Sequence, residues 1–348
     1  MGSIEYPNPS HLLTEISPRL RLPHGRPSIP PRSAVVVVTR DHVDRLRTTL
    51  PRIAGGHCPV ILLDDSTNAL ARGRCMRLAK RLDIAYHGLR EQRSVLSGVS
   101  PSLIEGLVAQ LGTPGWTLGL CRNYSLLLAR YMGIEKLILV DDDITLPSQH
   151  MLARTLNLLG DFDFAGAKTV GLADDSVVGH LARRLGIVQY DFVTGQYLGV
   201  RCRLQRSFFP NEYNEDLVFL LLGANQGRIA RCGTVRQLHR GHAGMGVERA
   251  LSQEAGEIHC EGCIRAAIEG TPAALQESGF WKAILAFRVR ALRDLLARDR
   301  DWGGNESSHL LSQVISRASS FPPSGFAQFY RNYFATVPRW IDLQEALS

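Results

Sequence analysis

At 348 residues and 45% hydrophobic content, the chain can bury a substantial core as one large or two smaller domains. Its formal net charge of +7 favours anionic partners such as nucleotides, phosphates or acidic membranes, whereas dispersed basic residues and the lack of an aromatic-basic motif argue against nucleic acid. No apolar run nears the ~20 residues that span a bilayer, no basic-then-apolar leader is present, and seven scattered cysteines do not read as a disulfide framework, so a cytoplasmic protein without an integral membrane segment is expected.

Residues 1–33 hold seven prolines, which remove backbone donors and resist helix, so they read as an extended arm. Residues 34–38 (AVVVV) form a β-branched run of the kind covered on both faces of a sheet. A helical pattern follows through Val43, Leu46, Leu50 and Ile53, with Asp41 as its expected N-cap and Gly55-Gly56 as its stop. The arrangement repeats: residues 60–63 predict a strand, Asp64-Asp65-Ser66-Thr67 its polar end, and Leu70, Leu78 and Leu82 a basic helix. Residues 84–86 suggest a third strand. Residues 92–114 read as a mobile loop enclosing a helix near 102–111. A helix over 122–132, stopped by Gly133, leads into the apolar run 137–140.

Beyond Pro147, helix is expected over 150–159, strand over 164–170, a short helix over 177–185, strands around Gly195 within 187–200, helix over 213–222 and strand over 229–238. An amphipathic helix over 280–298, rich in arginine, suits packing against the core or a partner subunit, with a homodimer in view, better than an anionic membrane surface. An aromatic end follows, with Phe326, Phe329, Tyr330, Tyr333, Phe334 and Trp340. Cys260 and Cys263 have the spacing of half a zinc knuckle, but no second pair follows, so free thiols are expected. There is no P-loop, no G-x-S-x-G elbow and no GxGxxG after the first strand.

The run KLILVDDDITLP, residues 136–147, sends a buried strand straight into Asp141, Asp142 and Asp143. Ligands of open α/β sheets bind beyond the carboxyl ends of the strands, so acids there meet solvent and substrate. Three adjacent carboxylates repel one another, and a hard divalent cation with oxygen ligands relieves that repulsion. An ordinary acidic turn is the plain alternative.

Taken together, ILLDDST, GLCRNYSLLLA, ILVDDDI, VTGQYLGV, NED and LHRGH resemble a nucleotide-sugar glycosyltransferase of the GT-A fold, closest to the broad family-two group, over residues 34–245. The resemblance implies an α/β, Rossmann-like, mostly parallel sheet flanked by helices, with a helical C-terminal extension. It divides the chain into an arm (1–33), a nucleotide-binding half (34–147), an acceptor and catalytic half (148–250) and the extension (251–348). It implies transfer of a sugar from a nucleoside diphosphate donor, UDP-linked, to a small soluble acceptor, with Mn²⁺ or Mg²⁺ as cofactor.

By the same resemblance, Asp65 or Asp64 reads the base, with Thr39 and Arg40 beside it. Asp141 faces the ribose or touches the metal through water, Asp143 binds the metal, and Asp142 has no settled role beyond the nucleotide site. Arg122 and Arg40 are candidate phosphate partners. Gly195 and Gln196 line the donor sugar and acceptor. Asp216 is the expected base, with Glu215 the runner-up, since adjacent helical residues diverge by about 100°. His239, ahead of His242, is a further metal ligand. A sugar-phosphate nucleotidyltransferase and a non-catalytic nucleotide-sugar binding protein are the competing functions.

Overall fold

The computed structural model describes residues 8–15, 29–55, 58–89, 101–109, 111, 118–171, 176–185, 192–202, 205–223, 228–238, 246–301 and 305–347. The strands are β1 (Leu13–Glu15), β2 (Ser33–Thr39), β3 (Val60–Asp64), β4 (Ala85–Gly88), β5 (Lys136–Asp141), β6 (Ile144–Thr145), β7 (Phe164–Val170), β8 (Tyr197–Arg201) and β9 (Ile229–Gln237). The helices of the first two thirds are α1 (Val43–Ala54), α2 (Ala69–Arg81), α3 (Pro101–Val108), α4 (Leu118–Tyr131), α5 (His150–Leu158), α6 (Val177–Arg184) and α7 (Glu215–Gly223). Helices α8 (Val247–Glu269), α9 (Ser278–Asp301), α10 (Asn305–Ser320) and α11 (Pro323–Glu345) form the C-terminal region.

Among the described residues the strands form one mixed sheet in the order β1-β9-β7-β8-β5-β2-β3-β4, with β6 paired to β9. β8 runs against both β5 and β7, and β6 runs against β9; all other pairings are parallel. The expected mostly parallel α/β sheet with flanking helices and a helical C-terminal region is what the chain forms. Its uninterrupted apolar strands follow from burial on both faces. Val35, Val37, Leu62, Ile138 and Val140 pack with α1, α2 and α5, while Val36, Val38, Ile61, Leu137 and Leu139 pack with α4 and α7. The second of these clusters continues without a break into α8, α9, α10 and α11.

Trp281 centres the helical region, stacking on Phe326 and Tyr330 with ring centroids 5.0 and 5.3 Å away. A Cβ on Gly262 would come within 2.3 Å of the Trp281 ring, so α8 approaches it only through a bare backbone. Arg288 is buried between α8 and α9, its guanidinium forked onto Glu254 at 2.8 Å and reaching Glu261 at 2.7 Å. The arginine-rich helix over 280–298 thus packs one face into the core, while Lys282, Arg290 and Arg293 stay exposed on the other. Cys260 and Cys263 lie on α8, where the Cys263 thiol is 2.9 Å from the Tyr330 hydroxyl.

Three local readings differ from expectation. Asp41 is not the cap of α1, whose N-cap is His42 without a side-chain bond. Asp41 instead has φ +61 and turns its carboxylate to accept from Thr67 N, Thr67 Oγ1 and Asn68 N, so it ties the end of β2 to the end of β3. The strand over 187–200 is confined to Tyr197–Arg201, with 192–196 in a loop and 187–191 outside the described residues. Helices α8, α10 and α11 are additional to those expected from the sequence, where the residues of α11 read only as an aromatic end.

Candidate functional site

The chain runs from β2 to β3 to β4 in one direction and then returns to place β5 on the other side of β2. That reversal opens a crevice beyond the carboxyl ends of β2 and β5. Register aligns Thr39 with Asp64 and Val38 with Asp141, so the polar ends of β2, β3 and β5 share one edge.

Asp64 is fully buried and serves the loop itself: it accepts from Ser66 N at 2.9 Å and from the Tyr86 hydroxyl at 3.0 Å. Asp65 is the member of the pair beside Arg40, with Oδ2 3.9 Å from Arg40 Nε. Asp142 is held from below, where Thr39 Oγ1 donates to its carboxylate at 2.8 Å and Thr49 Oγ1 donates to its carbonyl at 2.9 Å. His42 Nδ1 lies 3.2 Å from the same carboxylate and 3.1 Å from Arg45 Nη1, so its tautomer decides which of the two it serves. Arg45 Nη1 also lies 3.6 Å from Asp142 and 3.7 Å from Asp143. Asp143 is fully buried and accepts from Gln237 Nε2 at 3.3 Å. Its carbonyl accepts from Leu238 N at 2.8 Å, an extension of the β6–β9 pairing that brings the end of β9 to the triplet. His239 and His242 lie outside the described residues.

Arg122 joins the two halves of the site. It sits in the first turns of α4, buried, with Nη1 donating to Glu215 at 2.6 Å and Nη2 to Asp141 at 3.1 Å. Burial opposes its charge, but Asp141, Glu215 and Asp216 more than offset this and raise it further. Neighbouring Asn123 exchanges two 2.8 Å bonds with the Phe209 backbone, fixing the segment that leads to α7. Burial pushes Glu215 up to about 8 although Arg122 pulls the other way, with Asp216 and Asp141 adding to the rise. Burial likewise pushes Asp141 up to about 7 against Arg122, with Asp143 and Asp142 contributing.

Asp216 points elsewhere than Glu215, as expected for adjacent residues on a helix. It is partly exposed and accepts from Gly195 N and from Leu217 N, which fixes its carboxylate against the loop before β8. A Cβ on Gly195 would lie 2.5 Å from Arg122 Nη1 and 2.7 Å from Asp216 Cβ, so only glycine fits between them. The next residue, Gln196, offers its carbonyl to Asp141 N at 3.0 Å.

The fold thus brings Arg122, Asp141, Gly195, Gln196, Glu215 and Asp216 into one cluster, with Thr39, Asp142 and Asp143 in a second beside it. Arg40 and Asp65 form the flank at β3. His42, Arg45, Gln237 and Tyr86 were not foreseen. For His42 and Arg45 a signal existed, since both follow directly on the carboxyl end of β2, where a crevice residue would be sought. Among the described residues no three His, Cys, Asp or Glu side chains converge as a complete metal cage.

No protein-family model matches the chain, and no curated protein does. Among solved structures it is similar to a mannosyltransferase from Pyrobaculum calidifontis in complex with GDP-mannose and Mn²⁺, at 14% identity and a TM-score of 0.43, over 92% of this chain and 87% of that one. It is also similar to glucosyl-3-phosphoglycerate synthase from Mycobacterium tuberculosis with phosphoglyceric acid, at 14% identity and 0.42, over 68% and 79%. A protein from Desulfovibrio desulfuricans assigned as a nucleotide-diphospho-sugar transferase matches at 12% and 0.32, over 68% and 98%. Likeness at this distance carries no weight for substrate or mechanism.

Proposed function

We propose that this chain is a GT-A glycosyltransferase that moves a sugar from a nucleoside diphosphate donor, UDP-linked, to a small-molecule acceptor. The observation that carries the reading is the Arg122 bridge: it joins Asp141 at the switch point of the sheet to Glu215, whose neighbour Asp216 holds the Gly195 loop. Four stretches far apart in sequence thereby meet at the one edge where an α/β sheet binds ligands.

Asp65 and Arg40 border the base, and the end of β5 meets the ribose and diphosphate. The carboxylates there suit a hard divalent cation, which typically takes one or two protein carboxylates and completes its shell with substrate phosphates and water, so an incomplete cage is no obstacle. Asp141 and Asp143 would hold Mn²⁺ or Mg²⁺, with His239 a further ligand by resemblance. Bound there, the cation supplies charge stabilisation of the departing nucleoside diphosphate. Glu215 is spent on Arg122 and anchors the site. Asp216 is partly exposed and oriented by two backbone N–H bonds, and it takes the proton from the acceptor hydroxyl, a step such a nucleophile needs near neutral pH.

The test is thermal stabilisation by Mn²⁺ with a panel of UDP and GDP sugars, followed by donor hydrolysis. Asp143→Asn is expected to lose metal-dependent donor binding, whereas Asp216→Asn is expected to bind donor and fail to turn it over. Unchanged melting with every nucleotide tried in the presence of metal would refute the reading, and equal loss of binding in both variants would refute the division of roles.

A further inference from the structure

The basic helix α2 supplies none of the residues of the site. Its buried stripe is Cys75, Leu78 and Ala79, packed on the sheet. Its outer arc carries Leu70, Arg74, Met76, Arg77, Lys80 and Arg81, all exposed. Arg72 is the one basic residue of the helix turned inward, donating to the carbonyls of Ser66 and Thr67. No acidic residue occurs between Ala69 and Arg81. Arg74, Arg77, Lys80 and Arg81 make no ion pair among the described residues. Leu70 and Met76 are 59% and 52% exposed, the two highest values among the exposed large apolar side chains of the described residues. At about 100° per residue, Arg77 and Lys80 fall between them on the helix surface.

We propose that this face of α2 docks the protein on an anionic lipid surface. Charge complementarity selects an anionic partner, in keeping with the net charge of +7. The two apolar side chains select lipid, because a bilayer interface buries Leu70 and Met76 while its headgroups meet the arginines. A nucleic acid would satisfy the basic residues and leave both apolar side chains in water. The inference does not rest on the proposed reaction. It does orient the molecule: α2 begins just after the end of β3, so its Leu70 end lies at the rim of the crevice and the opening faces along the lipid surface.

The experiment is co-sedimentation of the full chain with vesicles of phosphatidylcholine alone and of an equal mixture of phosphatidylcholine and phosphatidylserine. Binding is expected for the mixture only, weakening as salt is added. The variant Arg74→Gln/Arg77→Gln/Lys80→Gln/Arg81→Gln alters only exposed side chains, and its partition coefficient is expected to fall by roughly fivefold per residue, several hundredfold together. Leu70→Ser/Met76→Ser is expected to reduce binding several-fold with the charge intact. The proposal is overturned if wild type ignores the mixed vesicles, or if the fourfold variant binds them equally well. It is also overturned if duplex DNA displaces the vesicles and binds the Leu70→Ser/Met76→Ser variant as it binds wild type.

Discussion

Arg122→Met is the substitution that probes the site most directly. The methionine fills much of the arginine's volume but leaves Asp141 and Glu215, bonded at 3.1 and 2.6 Å in the wild type, without their counter-charge in a buried position. Where both carboxylates are ionised, removing one partner of a buried ion pair costs about 3–5 kcal/mol. At ~2.1 cal/mol/K of unfolding entropy per residue, a 348-residue chain would melt roughly 4–7 °C lower. The penalty also has a pH signature. Glu215 is raised to about 8 and Asp141 to about 7, so below pH 7 both hold protons in the folded wild type and have little charge for Arg122 to stabilise. Above pH 7 they ionise against the guanidinium in the wild type, whereas in the variant they are pushed still higher and stay protonated at a cost. The stability gap therefore widens from pH 7 to 9, by up to about 1.4 kcal/mol per pH unit for each group. Urea denaturation of both proteins in chelator, at intervals across pH 6–9, measures it. A gap that is constant over that range would refute the electrostatic reading of the bridge.

Gly195→Ala should cost about 1–3 kcal/mol, because its Cβ would overlap an Arg122 side chain that is pinned at both ends and cannot swing away; unchanged melting and unchanged donor binding would show that the loop is packed otherwise. His259, enclosed by Trp281, Phe326, Phe329 and Tyr330, is held down to about 3 by burial. The unfolded chain binds its proton below about pH 6.5 and the folded chain does not, so this contribution to stability is lost as pH falls. His259→Phe should remove that loss between pH 6.5 and 5, and comparing the two proteins cancels the opposing effect of Glu261, which burial raises to about 7; parallel pH profiles would contradict the assignment. Tyr333→Phe strips the hydroxyl that accepts from Phe208 N at 2.9 Å and donates to Phe208 O at 2.8 Å, and should destabilise by about 1–3 kcal/mol in equilibrium unfolding.

The parts of this fold that were legible in the sequence are those whose physics is local. Residues 34–38 and 137–140 announce doubly covered strands because β-branched and apolar side chains appear at consecutive positions, and each ends where carboxylates or Arg40 begin. What the Arg122 bridge joins was not legible, since Glu215 is 93 residues away and nothing near either partner specifies the other. Asp41 misled because a short acid ahead of a helix suggests a cap, while its left-handed backbone turns it toward the next strand instead. Helix α8 was hidden by its own burial. Gln253, Glu254, His259 and Glu261 are polar residues inside the core, so the alternation of apolar and polar faces that marks a surface helix is absent. The burial of Arg288 was not legible either, since its partners Glu254 and Glu261 lie 34 and 27 residues away.

The stitching of α11 to the segment ahead of α7 also sets an order of events. Gln344 accepts from Gln205 N and donates to Gln205 O, and Tyr333 does the same for Phe208, in a stretch that no strand pairs. These partners follow by 139 and 125 residues. During vectorial synthesis, four backbone groups just upstream of Glu215 and Asp216 thus have no partner until α11 has emerged. The segment just ahead of Glu215 and Asp216 therefore gains these four bonds only once the C-terminal helix is in place.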